Sequence, residues 1–364
     1  MDSRGEPPAR DGPYGSVAVS GEAGHRDATG SSGVSLFLAG LGHFHPENEI
    51  TNAFLESLDI GTSEDWILER VGIRSRRTAL PLDYIRETKN RDPARAIEVA
   101  EYSQAQMGAR AARVALERAG VDAQQVGLVI GGGCAPDTVT PADACNLARE
   151  LGLTVPALDM NSACTSFYAG IHMLSMMDPD RLPDYVLLVS MEGMTRTVDF
   201  SDRSSAVLWG DAAVAAVITT RHGGRAELLG STLETDPQGT DKVIVPRLGH
   251  FDQEGRTVQM FAIKKTSRCY TALSEIYSED DRTLHFIGHQ ANLRMLENVC
   301  KRCDIAPEHH HSNAEWFGNT GAASGASVLS QNWDKWKKDD DVAMVGVGAG
   351  LTWGSYLVRF REDA

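Results

Sequence analysis

The sequence predicts an α/β fold assembled from two related halves, and three observations carry that prediction. Apolar runs of strand length alternate with Ala-rich stretches of helical spacing. Gly and Pro punctuate the joins between them. The order of segments also recurs: "RTLHFIGHQ" resembles "VGLVIGGGC", "EWFGNTGAASGASVL" corresponds to the segment around Cys164, and "DDVAMVGVGAG" matches "PDYVLLVSMEG". Each similarity is short, but their shared order is the mark of a duplicated unit. The join falls near residues 220–225, dividing the chain into 35–221 and 222–364. A chain of 364 residues exceeds the usual size of one compact core, in keeping with that division.

Taken in order, residues 1–34 are rich in Gly, Pro, Ser and charge, cannot build a core, and are expected to form a disordered tail. That stretch lacks the basic-then-apolar pattern of a secretory signal, and the chain has no apolar run of roughly 18 residues, so no membrane span and a cytoplasmic location are expected. "VSLFLAGLG" reads as the first strand. Residues 94–120 read as one Ala-rich helical pattern with Gly120 as its stop. "VGLVIGGG" is a buried strand, and "PADACNLARELGL" a helix introduced by Pro141. "YVLLVSMEG" and "AAVAAVITT" complete the strands of the first half.

Charge and cysteine usage narrow the chemistry. A formal net charge of −15 excludes general nucleic-acid binding, which needs basic surface for phosphates, while leaving room for a local basic cluster. Six cysteines (Cys134, Cys145, Cys164, Cys269, Cys300, Cys303) scattered through a large chain suggest thiols rather than a disulfide framework. "CKRC" has no second pair to complete a zinc site. His309, His310 and His311 cannot all face one ion from an extended segment, because side chains alternate. No metal is expected.

Three strand-to-helix junctions carry Cys164, His289 and Asn319, and such junctions are where α/β proteins assemble sites. Each residue alone has an ordinary explanation: a buried thiol, a satisfied core histidine, a turn residue before Gly321. Together they describe chemistry. A cysteine at a helix N-terminus is more easily ionised and carries acyl groups well. Histidine and asparagine can donate to an enolate or thioester oxyanion. A protease could use the same three residue types, so the types alone leave that open.

The surrounding blocks are more specific. "SACTSF", "GHQANLRML", "FGNTGAAS" and "GAGLTWGSYLVRF", with "TSEDWILERVGIRSRR" and "DRSSAVLWGDAAVAAVI", resemble the β-ketoacyl-ACP synthase III family of the thiolase superfamily, in register over roughly residues 35–361. The resemblance implies a thiolase-like five-layered αβαβα fold, a homodimer, no metal, no bound cofactor, and acyl-CoA or acyl-carrier-protein thioesters as substrates. It assigns the nucleophile to Cys164, its catalytic partners to His289 and Asn319, and a backbone oxyanion hole to the amides of Cys164 and Ala349. Many members have glycine at the last position; alanine keeps the N–H but is less free to take positive φ. The resemblance makes Thr62, Trp66 and Arg70 contacts for CoA adenine and pantetheine, Arg203 the arginine stacking on the adenine from the other side, and Asn292 a pantetheine contact. Arg294, Lys301 and Arg302 match a docking patch for acyl carrier protein.

Two departures bear on the acyl pocket. Thr140 stands where members of primary metabolism place a bulky side chain, and Phe261 stands near positions the family keeps small. The changes oppose each other sterically and point away from a simple acetyl-primed initiator, toward polyketide or other secondary-metabolite synthesis. The leading expectation is carbon–carbon bond formation by Claisen condensation. An acyltransferase making an ester or amide on the same fold, and a silent heterodimer partner, are the alternatives. An intact Asn319 and a complete triad favour condensation. The remaining cysteines, Cys134 among them, read as structural.

Overall fold

The computed structural model describes residues 35–361 apart from Leu248 and residues 278–281; the predicted tail over 1–34 lies outside the described residues. The strands are β1 (Leu36–Phe44), β2 (Asn48–Thr51), β3 (Ser75–Thr78), β4 (Val126–Gly132), β5 (Ala157–Asp159), β6 (Tyr185–Glu192), β7 (Ala212–Thr219), β8 (Ala226–Thr235), β9 (Val243–Ile244), β10 (Asp252–Gln253), β11 (Thr283–Gly288), β12 (Asp340–Gly348) and β13 (Thr352–Phe360). Nine of them form one sheet in the order β11-β12-β13-β8-β1-β7-β6-β4-β5. From β4 inward, the run β4-β6-β7-β1 is one parallel pair followed by two antiparallel pairs. From the other edge, β11-β12-β13-β8 follows the same sequence of directions. The two runs meet where Leu36–Leu38 of β1 pairs antiparallel with Ala226–Leu228 of β8.

The apolar strand runs follow from burial on both faces. In β7, Val214, Ala216 and Ile218 face one core, while Ala213, Ala215 and Val217 face another. In β12, Val342 and Met344 enter the first of these cores, and Ala343, Val345 and Val347 enter a third. The shared core holds helices Ser166–Met176 and Ser324–Gln331, packed between the two strand groups. Helices Gln104–Ala119 and Asp143–Glu150 cover the outer face of one group. Helices Gly255–Tyr277 and Leu293–Cys303 cover the other. The result is helix, strand, helix, strand, helix: the five-layered α/β arrangement. Glycines in β1 permit the tightest of these contacts, since a Cβ at Gly42 would stand 2.2 Å from the carbonyl oxygen of Ala111.

Two helix expectations are corrected. The Ala-rich stretch is two helices, Pro93–Val99 and Gln104–Ala119, rather than one. Ser103 starts the second through a capping box, its hydroxyl accepting from the Gln106 amide while the Gln106 side chain accepts from Ser103. Gly120 ends it in the left-handed conformation, φ 63°, as expected. Pro141 precedes helix Asp143–Glu150 instead of opening it. The first amides of that helix, Asp143 and Ala144, donate to the Asp159 carboxylate at 2.7 and 2.8 Å, so the start is fixed from β5.

A further cluster, containing β2, helix Glu64–Arg70 and the segment Met194–Trp209, roofs the end of the sheet where the junctions converge. Arg76 is its polar strut. Fully buried, it donates to the Val207 carbonyl and to Asn52 Oδ1 (2.7 Å), and burial lowers its pKa to about 9.

Candidate active site

Cys164 follows Ala163, which is held at φ 47°, and precedes Thr165, the residue before helix Ser166–Met176. The sulfur therefore sits two positions ahead of the helix, not within its first turn. Gly348, the last residue of β12, closes on it: a Cβ there would lie 3.1 Å from the Cys164 amide nitrogen. Cys164, His289, Asn319 and Ala349 line one cavity of ≈ 740 Å³. The three side-chain groups are buried, at 7, 4 and 6% exposure, so the cavity is their route to a substrate.

His289 follows β11, and its Nδ1 meets the Ser324 hydroxyl at 2.9 Å. That contact leaves Nε2 to face the sulfur and the cavity. Asn319 is held by its backbone, its N–H donating to Leu208 (2.8 Å) and its carbonyl accepting from Gly210 (3.0 Å). Its side-chain Oδ1 accepts from the Gly321 amide at 3.0 Å, which leaves Nδ2 as the free donor. The Cys164 thiol is held well below its ordinary range, first by its contact with the Cys134 sulfur and then by His289, against the opposing effect of burial.

Three residues outside the sequence-based site complete it. Cys134, whose sequence context suggests a packing thiol, has its Sγ 3.6 Å from Cys164 Sγ. Glu192, at the end of β6, is fully buried beneath the pair and accepts from the amides of Cys134 (3.0 Å) and Ala322 (2.7 Å). Burial pushes its carboxyl up to about 8, with the charge on Cys164 adding to the effect. Ser324 orients His289. A carboxylate ending an otherwise apolar strand, "YVLLVSMEG", was the available signal for Glu192; Ser324 closes the block "FGNTGAAS" without a role marked there, and nothing local marks Cys134.

The entrance residues separate into two groups. Trp66, Arg70, Asn292 and Phe261 line the cavity. Asn292 also caps helix Leu293–Cys303, its Oδ1 accepting from Met295 at 2.8 Å. Arg203 and Thr62 are not among the lining residues. The Arg203 guanidinium lies 4.8 Å over the Trp66 ring and donates to the Gly61 carbonyl. A ring stacked between two partners needs about 7 Å, so no ring fits between Arg203 and Trp66 as they stand. Thr62 Oγ1 is buried without a protein partner. Thr140 is exposed on the loop before Pro141, away from the cavity of its own chain. Arg294 donates to the Leu68 carbonyl (2.8 Å) and pairs with Glu297 (2.9 Å), whereas Lys301 and Arg302 are exposed. Ala349 is not among the positive-φ residues, so its methyl group carries no backbone strain. Among the described residues no group of three or more His, Cys, Asp or Glu side chains could hold a metal ion.

Comparison with known proteins agrees with this arrangement. Residues 158–237 match the 3-oxoacyl-[acyl-carrier-protein] synthase III family model, and residues 277–360 match the model for its C-terminal part. A β-ketoacyl-[acyl-carrier-protein] synthase III from Oceanobacillus iheyensis is 30% identical over 333 residues, covering 90% of this chain and 100% of that protein. The crystal structure of 3-oxoacyl-[acyl-carrier-protein] synthase III from Aquifex aeolicus superposes with a TM-score of 0.78 at 27% identity, over 90% of this chain and 100% of that one. The priming β-ketosynthase from the R1128 polyketide biosynthetic pathway superposes with a TM-score of 0.75 at 28% identity, over 90% and 97%. With a Cys, His and Asn cavity set in a thiolase fold, the chain belongs to the β-ketoacyl-[acyl-carrier-protein] synthase III family of acyltransferases.

Proposed function

We propose that the protein is a ketosynthase that condenses a Cys164-bound acyl group with a malonyl- or β-ketoacyl-thioester in a polyketide or other secondary-metabolite pathway. The observation that carries the reading is the convergence of Cys164, His289 and Asn319 on one cavity. In the first half-reaction the Cys164 thiolate attacks the carbonyl of a CoA or carrier-protein thioester. The amides of Cys164 and Ala349 hold the oxyanion, and the donor thiolate leaves. A malonyl-type extender then sets its thioester carbonyl against His289 and Asn319 Nδ2. Loss of carbon dioxide leaves an enolate, whose carbon attacks the acyl-cysteine; the C–S bond breaks and the electron pair returns to Cys164. No redox step is involved, and the substrates themselves supply every reacting group.

The secondary-metabolite assignment is supported by the likeness to a polyketide-priming ketosynthase and by Phe261, which lines the cavity and packs edge-on against Trp353 at 5.6 Å. Thr140 supports a homodimer: its loop is exposed, with neighbouring Val139 66% exposed, and serves the acyl pocket of a second copy. A carrier protein is expected to dock at Arg294, Lys301 and Arg302, where Glu297 offsets part of the charge. The halves 35–221 and 222–364 are read as descendants of one duplicated unit, and the protein as cytoplasmic; no helix among the described residues is long and apolar enough to cross a membrane.

Intact-mass measurement tests the proposal. Acyl donors should add one acyl mass to the protein and none to Cys164→Ala, and malonyl or β-ketoacyl carrier should then release a β-ketone. Release only by an alcohol or amine would identify an ester- or amide-forming acyltransferase instead. No adduct with any donor would refute both and leave a silent partner.

A further inference from the structure

We infer that the Cys134 thiol donates a hydrogen bond to the Cys164 sulfur and thereby favours its thiolate form. The inference rests on Cys164 being the nucleophile and adds a residue to that machinery. The two sulfurs are 3.6 Å apart, within reach of an S–H···S contact, although the residues come from loops 30 positions apart in sequence.

Their surroundings decide which sulfur keeps the proton. The titratable groups facing Cys164 are Cys134 from the loop after β4, Glu192 from the end of β6, and His289 from the loop after β11. His289 lies beside Cys164 and favours its charge. The Cys134 thiol is pushed upward, first by the Cys164 sulfur and then by burial. A proton shared by the pair therefore rests on Cys134. The Cys134 backbone is fixed as well, since its amide donates to both oxygens of Glu192, at 3.1 and 3.0 Å. The thiol is held in place for one task.

That task recurs in each turnover. The S–H group favours the free thiolate before acyl transfer. It meets the sulfur again when the enolate attacks and the C–S electron pair returns to Cys164. No proton changes hands in either step, so Cys134 stays a donor and does not become a second acyl carrier.

The test reads ionisation rather than product. Iodoacetamide labelling of Cys164, followed by peptide mass spectrometry across the pH range, gives its titration midpoint in the wild type, Cys134→Val and Cys134→Ser. Cys134→Val keeps bulk without a donor and should raise the midpoint by about one unit, roughly tenfold less thiolate below it. Cys134→Ser keeps a donor and should stay close to the wild type. A Cys134→Val midpoint equal to the wild type would overturn the inference, as would a Cys134→Ser midpoint raised as far as that of Cys134→Val. If Cys134→Val does not fold, Cys134→Ala serves as the donor-free variant. Labelling needs no substrate, so this outcome is independent of whether the condensation assay succeeds.

Discussion

Replacing Glu192 by glutamine should make the protein more stable at alkaline pH than the wild type. In the folded chain the carboxyl is fully buried and its pKa is raised from 4.5 to about 8, mainly by burial and then by the charge on Cys164. The unfolded chain ionises near the ordinary value. Below about pH 4.5 both states are protonated and Glu192 adds no pH dependence. As the pH rises, the unfolded state loses its proton while the folded state keeps it, so stability falls until about pH 8 and then levels off. At about 1.4 kcal/mol per unit, the full penalty is roughly 5 kcal/mol, comparable to the whole stability of many domains. Glutamine resembles the protonated acid: one oxygen still accepts from Ala322 and Cys134, and the NH₂ group replaces the OH. Urea unfolding of both proteins between acid and alkaline pH measures the effect. The wild type should lose stability relative to Glu192→Gln across that window, by several kcal/mol. Parallel curves would refute the assignment of a protonated Glu192.

Other substitutions separate the parts of the site. Ser324→Ala removes the Nδ1 partner of His289; it should leave formation of the Cys164 adduct intact and slow β-ketone release about tenfold, as single-turnover mass spectrometry would record. Arg203→Ala removes the cation over Trp66 and should raise KM for CoA donors roughly three- to tenfold, with little change for carrier-bound donors, by steady-state kinetics. Arg76→Met strands the Val207 carbonyl and Asn52 Oδ1 and should cost about 3 kcal/mol or more in urea unfolding.

Central strands were legible where burial on both faces makes an apolar run, as in "AAVAAVIT" of β7; β8, "AELLGSTLET", is partly exposed and polar and was not read. The helix break before Ser103 was not, because alanines continue the helical spacing across it; only the S-x-x-Q capping pattern marks the restart. The triad was visible as three residue types at three junctions, and the resemblance gave those types their roles. Cys134 and Ser324 escaped for a physical reason. Each acts through a contact between segments about thirty positions apart, which neither periodicity nor even the block "FGNTGAAS", which ends on Ser324, makes visible in the local sequence. Arg203 shows the converse: the sequence pointed to the right partner, Trp66, but could not foresee that the two already touch.

The short ladder between β1 and β8 has a consequence for how such a molecule can be divided. Cut there, each fragment would expose an unpaired strand edge and a helix whose greasy flank belongs against the other fragment. Neither piece could live alone in water, so residues 35–361 stand or fall as one folding unit. Engineering should respect the same boundary, trading rim loops freely while leaving the seam untouched.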